Sequence, residues 1–333
     1  MSAPEPTTVR VALAGDTMLG RGVAEAVATA AGPRALFSEE IHEFAAAADL
    51  FVLNLECCVS ARGTLWPQPG KPFFFRAPPA AAELLAQLGV HCVTLANNHA
   101  LDYGFDALAD TLVHLAEAGI RTVGAGPDLP TAREFAVLAT AGTRVAVVGA
   151  TDHPDDFAAG PDRPGVAYAE LRDGVPGWLT ELVRRAAAEA DIVLVTPHWG
   201  PNMTSRPPPY VRAAAPVLLE AGATLIAGHS AHVFHGVADR VIFDMGDFID
   251  DYAVDGVLRN DLGLLFLVTF RGLAPAPLRP VRLEALPLFL DYCRTEAAHG
   301  RRRQWINDRF ATACAEFGTA VSVEGDRLVA EWD

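Results

Sequence analysis

The sequence predicts an α/β fold in which two β-sheets stack face to face and helices cover their outer faces. Short strand-like apolar runs alternate with helical patterns of apolar residues as far as about residue 227. Beyond that point the runs at 241–243, 262–270 and 281–289 follow one another with no helix between them. Early strand–helix units followed by consecutive strands are typical of a two-sheet sandwich rather than of a single doubly wound sheet. We expect one domain over residues 9–290 and a small appendage over residues 291–333, formed by a helix near 295–316 and a hairpin.

Composition narrows the classes of function. The chain has 333 residues, of which 51% are hydrophobic, and a formal net charge of -15, which argues against nucleic acid or an anionic membrane as a partner. Because the chain is acidic, an acidic substrate could bind only where a metal or a few basic residues supply positive charge.

The five cysteines are odd in number and lack CxxC spacing, so we expect reduced, buried thiols. With no signal-peptide pattern in residues 1–8 and no apolar run of membrane-spanning length, we expect a soluble, cytoplasmic protein without a membrane span.

The first two predicted strands each end in an acidic residue. The strand at 9–14 leads into Gly15-Asp16 and a glycine-flanked turn, where the backbone can approach a ligand closely. A plain glycine turn before the helix predicted at 23–31 explains this pattern equally well. The strand at 49–55 ends at Glu56, and a buried carboxylate is costly unless it is paired or bound to a metal.

The segment 62–79 is rich in proline and glycine and contains Lys71-Pro72-Phe73-Phe74-Phe75-Arg76. A connection of this length and aromatic content suggests a lid or wall over a site, although the phenylalanines also suit a loop anchored on the core. Lys71 and Arg76 are the candidates in this segment for binding an acidic substrate.

The predicted working centre lies at residues 95–104, between a strand at 90–95 and a helix at 105–118. Asn98 offers a neutral amide oxygen to a metal, and His99 offers an imidazole for proton transfer. Ligands of open α/β sheets bind at this carboxyl edge. The alternative is a simple turn in which Asp102 caps the next helix.

Histidines follow two later strands. The strand at 192–196 leads to His198, and the strand at 224–227 leads to His229 and His232 in a glycine-flanked turn. With the earlier polar residues at strand ends, these imidazoles predict a shared metal site. An acidic cluster within 151–164 suits either a cation or, more simply, a solvated loop, and the acidic run at 244–252 suits either support of the site or a polar connection.

Five motifs, in order, resemble those of the bacterial capsule-synthesis family typified by CapA and PgsA, the poly-γ-glutamate biosynthesis proteins. The resemblance covers roughly residues 9–250 and runs through these segments: Gly15-Asp16-Thr17-Met18-Leu19-Gly20-Arg21, Asn54-Leu55-Glu56, Asn97-Asn98-His99-Ala100-Leu101-Asp102-Tyr103-Gly104, His198-Trp199-Gly200 and Gly228-His229-Ser230-Ala231-His232-Val233. That family is similar to the calcineurin-like metallophosphoesterases. The resemblance implies their four-layer α-β-β-α sandwich around a metal centre.

The resemblance also implies roles for individual residues. The implied metal ligands are Asp16, Glu56, Asn98, His198, His229 and His232. His99 and Asp102 are the implied catalytic residues, and Arg21, Lys71 and Arg76 the expected substrate contacts. Met18 stands where the phosphoesterase pattern has a histidine, which predicts a weakened metal position and weak phosphoesterase activity at most.

We therefore expect one or two divalent metal ions, Mn, Fe or Zn, because the ligands are carboxylate, amide and imidazole groups without thiolates. The leading functional hypothesis is a metal-dependent enzyme that hydrolyses or forms an amide bond in a small acidic or peptide-like substrate of the γ-glutamyl class. The alternatives are a metal-dependent phosphoesterase and a non-catalytic partner of a poly-γ-glutamate synthetase.

Overall fold

The computed structural model describes residues 6–67, 70–273 and 277–332. Within these ranges the α-helices are α1 (Arg21–Thr29), α2 (Glu39–Ala46), α3 (Ala80–Gln87), α4 (Gly104–Glu117), α5 (Leu129–Ala132), α6 (Gly177–Glu189), α7 (Pro209–Glu220) and α8 (Gly300–Ala315). The strands are β1 (Thr7–Thr17), β2 (Leu50–Leu55), β3 (Cys58–Val59), β4 (Arg76–Ala77), β5 (Cys92–Thr94), β6 (Arg121–Val123), β7 (Ala125–Gly126), β8 (Ala136–Thr140), β9 (Thr143–Thr151), β10 (Gly165–Val166), β11 (Ile192–His198), β12 (Leu225–Ala227), β13 (Val237–Ala238), β14 (Val241–Ile242), β15 (Asp247–Ile249), β16 (Leu262–Gly272), β17 (Arg279–Asp291), β18 (Arg294–Ala297), β19 (Ser322–Glu324) and β20 (Arg327–Glu331).

Most strands belong to two large mixed sheets. The first has ten strands in the order β19-β20-β17-β16-β1-β2-β5-β6, with β15 added beside β1 and β18 beside β17. The second has six strands in the order β13-β14-β12-β11-β9-β8. In the first sheet β1, β2, β5 and β6 run parallel, and in the second β9, β11, β12 and β14 do.

The alternation of side chains along β1 shows how the sheets stack. Val11 and Leu13 pack in one buried cluster with Val147 and Leu194 of the second sheet. Their neighbours along the strand face the other way, as the two-residue period of a strand requires, and pack beneath α1 to α4. A third cluster joins the outer face of the second sheet to α6 and α7. These layers confirm the predicted α-β-β-α sandwich.

The carboxyl ends of the parallel strands meet at one edge of the sandwich. Asp16 pairs in register with Asn54 at the ends of β1 and β2, after an irregularity in the β1–β2 register. In the second sheet β11 ends at His198, which forms a parallel bridge to His229 beyond the end of β12. Functional side chains of both sheets are thereby brought to a common edge.

One sequence-based expectation needs correction, short strands were missed, and one expectation is untested. The helix predicted from about residue 295 begins at Gly300, because residues 294–297 form β18 and the buried Thr295 hydroxyl donates to the Phe248 carbonyl at 2.6 Å. The short strands β8 and β15 were not predicted. The segment 291–333 adds strands to the first sheet and places α8 side chains in the inter-sheet core, and its separation from 9–290 as an appendage stays a prediction.

Two further expectations concern thiols and membranes. All five cysteines are buried and free. None of the described helices combines the length and apolar character required to cross a bilayer.

Candidate metal centre and its pocket

Asp16, at the end of β1, is the carboxylate around which the candidate site is built. It is fully buried. Its Oδ1 accepts from the Asn54 amide at 2.7 Å and its Oδ2 accepts from the Ser230 backbone N–H at 3.2 Å. The preceding residue must be glycine, because a Cβ on Gly15 would lie 1.9 Å from the Gly246 carbonyl oxygen.

Two imidazoles from the second sheet lie against Asp16. The Nδ1 atoms of His198 and His229 are 2.8 Å apart, and His229 Nδ1 is 3.7 Å from Asp16 Oδ1. Both rings are fully buried, and the Nε2 atom of each has no hydrogen-bond partner. Buried polar atoms without partners are rare in native proteins, and here they mark positions where a ligand belongs.

His232 lies on the other side of Asp16. Its Nδ1 is 3.3 Å from Asp16 Oδ2 and 2.8 Å from Asp247 Oδ1. The turn that carries it places Ser230 at φ +124° and His232 at φ +60°, in the left-handed region that residues other than glycine seldom adopt. Such backbone strain is often found where a functional side chain must be held in place.

The ligand atoms form two groups that share Asp16. Asp16, His198 and His229 make one group, and Asp16, His232 and Asp247 make the other, with the atoms of each group within 4.8 Å of one another. Asp247 was not singled out by sequence reasoning. The signal was the acidic run at 244–252, but its position depends on the parallel pairing of β15 with β1, which sets Asp247 opposite Asp16.

Two further predicted ligands lie nearby. Glu56 is fully buried. It lies beside Asp16, since the Asn54 amide donates to Glu56 Oε2 at 3.3 Å as well as to Asp16. Glu56 Oε1 and Asn98 Oδ1 are both buried without a hydrogen-bond partner. Glu56 belongs to neither of the two groups, and its role as a ligand, like that of Asn98, stays a prediction.

Burial sets the protonation of this cluster. It lowers the pKa of His198 well below its usual value and that of His229 to about 4. It also raises the pKa of Glu56 well above its usual value, and the charge of Asp16 adds to the effect. Burial opposes ionisation of Asp16, but the hydrogen bond and charge of His232 outweigh it and hold the Asp16 pKa below its usual range. Neutral His198 and His229 therefore present nitrogen lone pairs.

His99 is held by a carboxylate on the side facing away from Glu56. Its Nδ1 lies 2.6 Å from Asp102 Oδ2, while its Nε2 lies 3.8 Å from Glu56 Oε1. The same Asp102 oxygen accepts from the Phe75 backbone N–H at 2.6 Å. Because Asp102 Oδ2 accepts a hydrogen bond from His99 Nδ1, neutral His99 carries its proton on Nδ1 and leaves Nε2 as an acceptor. Asp102 thus orients the imidazole, and it does not cap α4.

The three expected substrate contacts are placed differently. Lys71 is nearly buried, and its Nζ lies 2.7 Å from Asp102 Oδ1. Arg76 stacks on the Tyr103 ring at 4.2 Å and donates to the Arg62 carbonyl. Arg21 forms an ion pair with the Asp251 carboxylate. Of the three, Lys71 lines the pocket described next, and Arg21 and Arg76 do not.

A pocket of about 570 Å³ opens over this cluster. Its described lining is Gly70, Lys71, Pro72, Phe73, Asn98, His99, His153, Pro154, Asn202, Met203, His232, Tyr252, Ala253 and Asn260. The segment around Lys71 therefore forms one of its walls, as the sequence suggested. The loop at 151–164 is not simply solvated, because His153 lines the pocket and contacts Asp152, whose side chain is 4% exposed.

The donor set fits a divalent cation. Nitrogen and oxygen ligands without thiolates suit Mn, Fe or Zn, and the partnerless Nε2 atoms belong to His198 and His229 of the first group. The described part of the chain thus contains a buried group of potential ligands for a divalent metal, at the floor of a pocket.

The stacked sheets and this cluster define an α/β sandwich protein with a candidate metal centre at the carboxyl edge of its strands. The family model described as "Bacterial capsule synthesis protein PGA_cap" matches residues 10–252. The chain belongs to this family, which confirms the resemblance seen in the sequence.

Similar proteins include two curated relatives and one solved structure. The chain is 30% identical over 378 residues to a probable polyglutamine synthesis accessory protein of Mycobacterium tuberculosis, covering 98% of this chain and 97% of that protein. It is 30% identical over 243 residues to the PGA biosynthesis protein CapA of Bacillus subtilis, covering 71% of this chain and 62% of CapA. A solved structure of a putative 5'-nucleotidase of Staphylococcus aureus aligns with a TM-score of 0.49 and 15% sequence identity. The alignment covers 90% of this chain and 59% of that chain, and it does not bear on activity.

Proposed function

We propose that this protein is a metal-dependent enzyme that acts on an amide bond in a peptide-like substrate of the γ-glutamyl class. The observation that carries the proposal is the shared position of Asp16 between two groups of potential ligands beneath a pocket. The family match and the names of the relatives, which refer to PGA biosynthesis and polyglutamine synthesis, support the substrate class.

The proposed ligands are Asp16, His198, His229, His232 and Asp247, with Glu56 and Asn98 as additional ligands from their partnerless oxygens. A divalent ion bound there would polarise a carbonyl group and lower the pKa of a bound water. His198 and His229, whose pKa values burial lowers, need lose no proton before they bind a cation.

His99 is proposed to carry the proton. Its Nδ1 proton is fixed by Asp102, so its Nε2 can accept a proton at the pocket and return it to a leaving amine. Burial lowers the pKa of His99, against the opposing effect of Asp102, and this favours the accepting form. The ring also packs edge-on against Phe75, with centroids 4.6 Å apart, which fixes its orientation.

One relative supports a second candidate function. The M. tuberculosis protein is named as an accessory protein of synthesis, so a non-catalytic role beside a synthetase is the alternative for this chain. In that role the metal cluster would serve folding or binding, and His99 would have no effect on a rate.

The test compares two substrate panels on protein that has been stripped with a chelator and reloaded with Mn²⁺. One panel contains γ-glutamyl amides and the other phosphomonoesters and phosphodiesters. We expect metal-dependent turnover of γ-glutamyl amides that is lost on chelation and in His99→Ala. Turnover of phosphoesters alone would replace the proposal with a phosphoesterase, and no turnover in either panel would favour the accessory role.

A further inference from the structure

The basic side chains that line the pocket are all paired with carboxylates. They are Lys71, His99, His153 and His232, and the described lining contains no arginine. Any negatively charged group of a substrate that does not reach the proposed metal would have to bind beside these four side chains. The charge of the substrate that the pocket accepts therefore depends on whether the positive charge of these side chains is free to pair with it.

Lys71 and His99 share a single carboxylate. Asp102 Oδ1 lies 2.7 Å from Lys71 Nζ, and Asp102 Oδ2 lies 2.6 Å from His99 Nδ1. Lys71 is further held by the Asn98 carbonyl, which accepts from its ammonium group. The side chains of Lys71 and Asp102 are 8% and 0% exposed, so this pair is little screened by solvent. The charge of Lys71 is thus already neutralised within the protein.

The other two basic side chains are held in the same way. His153 Nδ1 contacts Asp152 Oδ1, and Asp152 Oδ2 accepts from the Tyr210 hydroxyl at 2.9 Å. His232 Nδ1 lies 2.8 Å from Asp247 Oδ1 and 3.3 Å from Asp16 Oδ2. Each ring therefore faces a carboxylate that is largely or fully buried.

The remaining walls of the pocket carry no charge. Phe73, Met203 and Tyr252 supply apolar surface, and Asn202 supplies an amide. The amide of Asn260 is already bonded to the backbone of Asp255 and Ala253. Arg21 contacts the Phe73 and Tyr252 rings, with its guanidinium carbon 5.2 and 5.5 Å from their centroids, but it too is paired, with Asp251. A substrate carboxylate in the pocket would find no unpaired cation among the described lining side chains.

We infer that the pocket selects the uncharged, carboxamide-bearing form of a γ-linked glutamyl chain over the form with free carboxylates. The inference rests on the proposed function, which supplies the γ-glutamyl class of the substrate. It follows because a carboxylate that leaves water away from the proposed metal needs a new counter-charge, whereas a carboxamide needs only hydrogen bonds. The Asn202 amide and the apolar rings of the pocket suit the carboxamide. The inference favours a neutral peptide-like substrate over an acidic one.

The experiment uses two ligands of the same shape. One is a γ-linked glutamate trimer with free α-carboxylates, and the other is the same trimer with α-carboxamides. Binding of each to full-length, Mn²⁺-loaded protein is measured by calorimetry at two ionic strengths. We expect the carboxamide trimer to bind at least about tenfold more tightly, with little dependence on salt.

A charge-adding variant sharpens the result. Asn202→Lys places an unpaired ammonium at an exposed position of the lining, and Gln304→Lys adds the same charge on the exposed face of α8 as a control. Asn202→Lys should tighten binding of the carboxylate trimer and leave the carboxamide trimer unchanged, whereas Gln304→Lys should change neither.

Two results would overturn the inference. Equal or tighter binding of the carboxylate trimer by the unaltered protein would refute the preference for neutral groups while leaving the proposed γ-glutamyl class intact. Binding of neither trimer would reject both that class and this preference.

Discussion

The carboxylate of Asp16 and that of Asp247 reach the same imidazole from two parallel strands. His232 Nδ1 lies 3.3 Å from Asp16 Oδ2 and 2.8 Å from Asp247 Oδ1. The strands β1 and β15 set the two acids opposite each other, so the separation is fixed by backbone pairing rather than by flexible side chains. The candidate metal centre is thus built on the ends of two paired strands.

Asp247 should therefore be a ligand even though no sequence motif marks it. Asp247→Asn preserves the shape of the side chain but removes its charge, and we expect the affinity for Mn²⁺ to fall at least about tenfold. Asp110→Asn, at a carboxylate that pairs with Arg62 on the surface, is the matched control and should bind metal normally. The measurement is a Mn²⁺ titration of the chelator-treated proteins. Unchanged affinity in Asp247→Asn would remove this residue from the centre.

His99 should affect chemistry far more than it affects metal binding or folding. A general acid or base contributes about 10²–10⁴-fold in rate, so His99→Asn should lose activity on that scale. Loss of a merely structural imidazole would instead reduce stability, by roughly 1–3 kcal/mol if the hydrogen bond lost at Asp102 were not replaced. Metal content, melting temperature and turnover are measured on the same preparation. A mutant that kept its rate but melted far lower would show His99 to be structural.

Gly15 should tolerate no side chain. A Cβ added at this position would lie 1.9 Å from the Gly246 carbonyl oxygen, so Gly15→Ala must shift the backbone that carries Asp16. We expect a loss of free energy of unfolding of about 1–3 kcal/mol, as for other overpacked sites. Gly177→Ala is the control, because a Cβ there meets no atom within 4 Å. Denaturant unfolding of both variants gives the comparison, and equal stability would show that the strand end is more adaptable than the structure indicates.

Much of the fold and part of the site could be predicted from the sequence because they depend on local patterns. The alternation of Val9, Val11 and Leu13 and the polar residues after each strand identify the layers and the edge. The partners of Lys71 and of Arg76 could not be predicted, since Asp102 and Tyr103 reach them through the fold of a long loop. Strand β15 was missed for a related reason, because it has three residues and gains its stability from pairing with β1.

The central claim is that His198 and His229 bind a metal together with Asp16. The most direct measurement is the metal content of purified protein by mass spectrometry, for the unaltered chain, His198→Ala, His229→Ala and a control. The control is His114→Ala, on α4, whose ring is partly exposed and lies 3.7 Å from Glu117. We predict bound Mn, Fe or Zn in the unaltered chain and in the control, and a fall to less than about half in each of the other two, because each loses an imidazole whose Nε2 is otherwise unpartnered. Full metal occupancy in both His198→Ala and His229→Ala, with normal folding, would contradict the account.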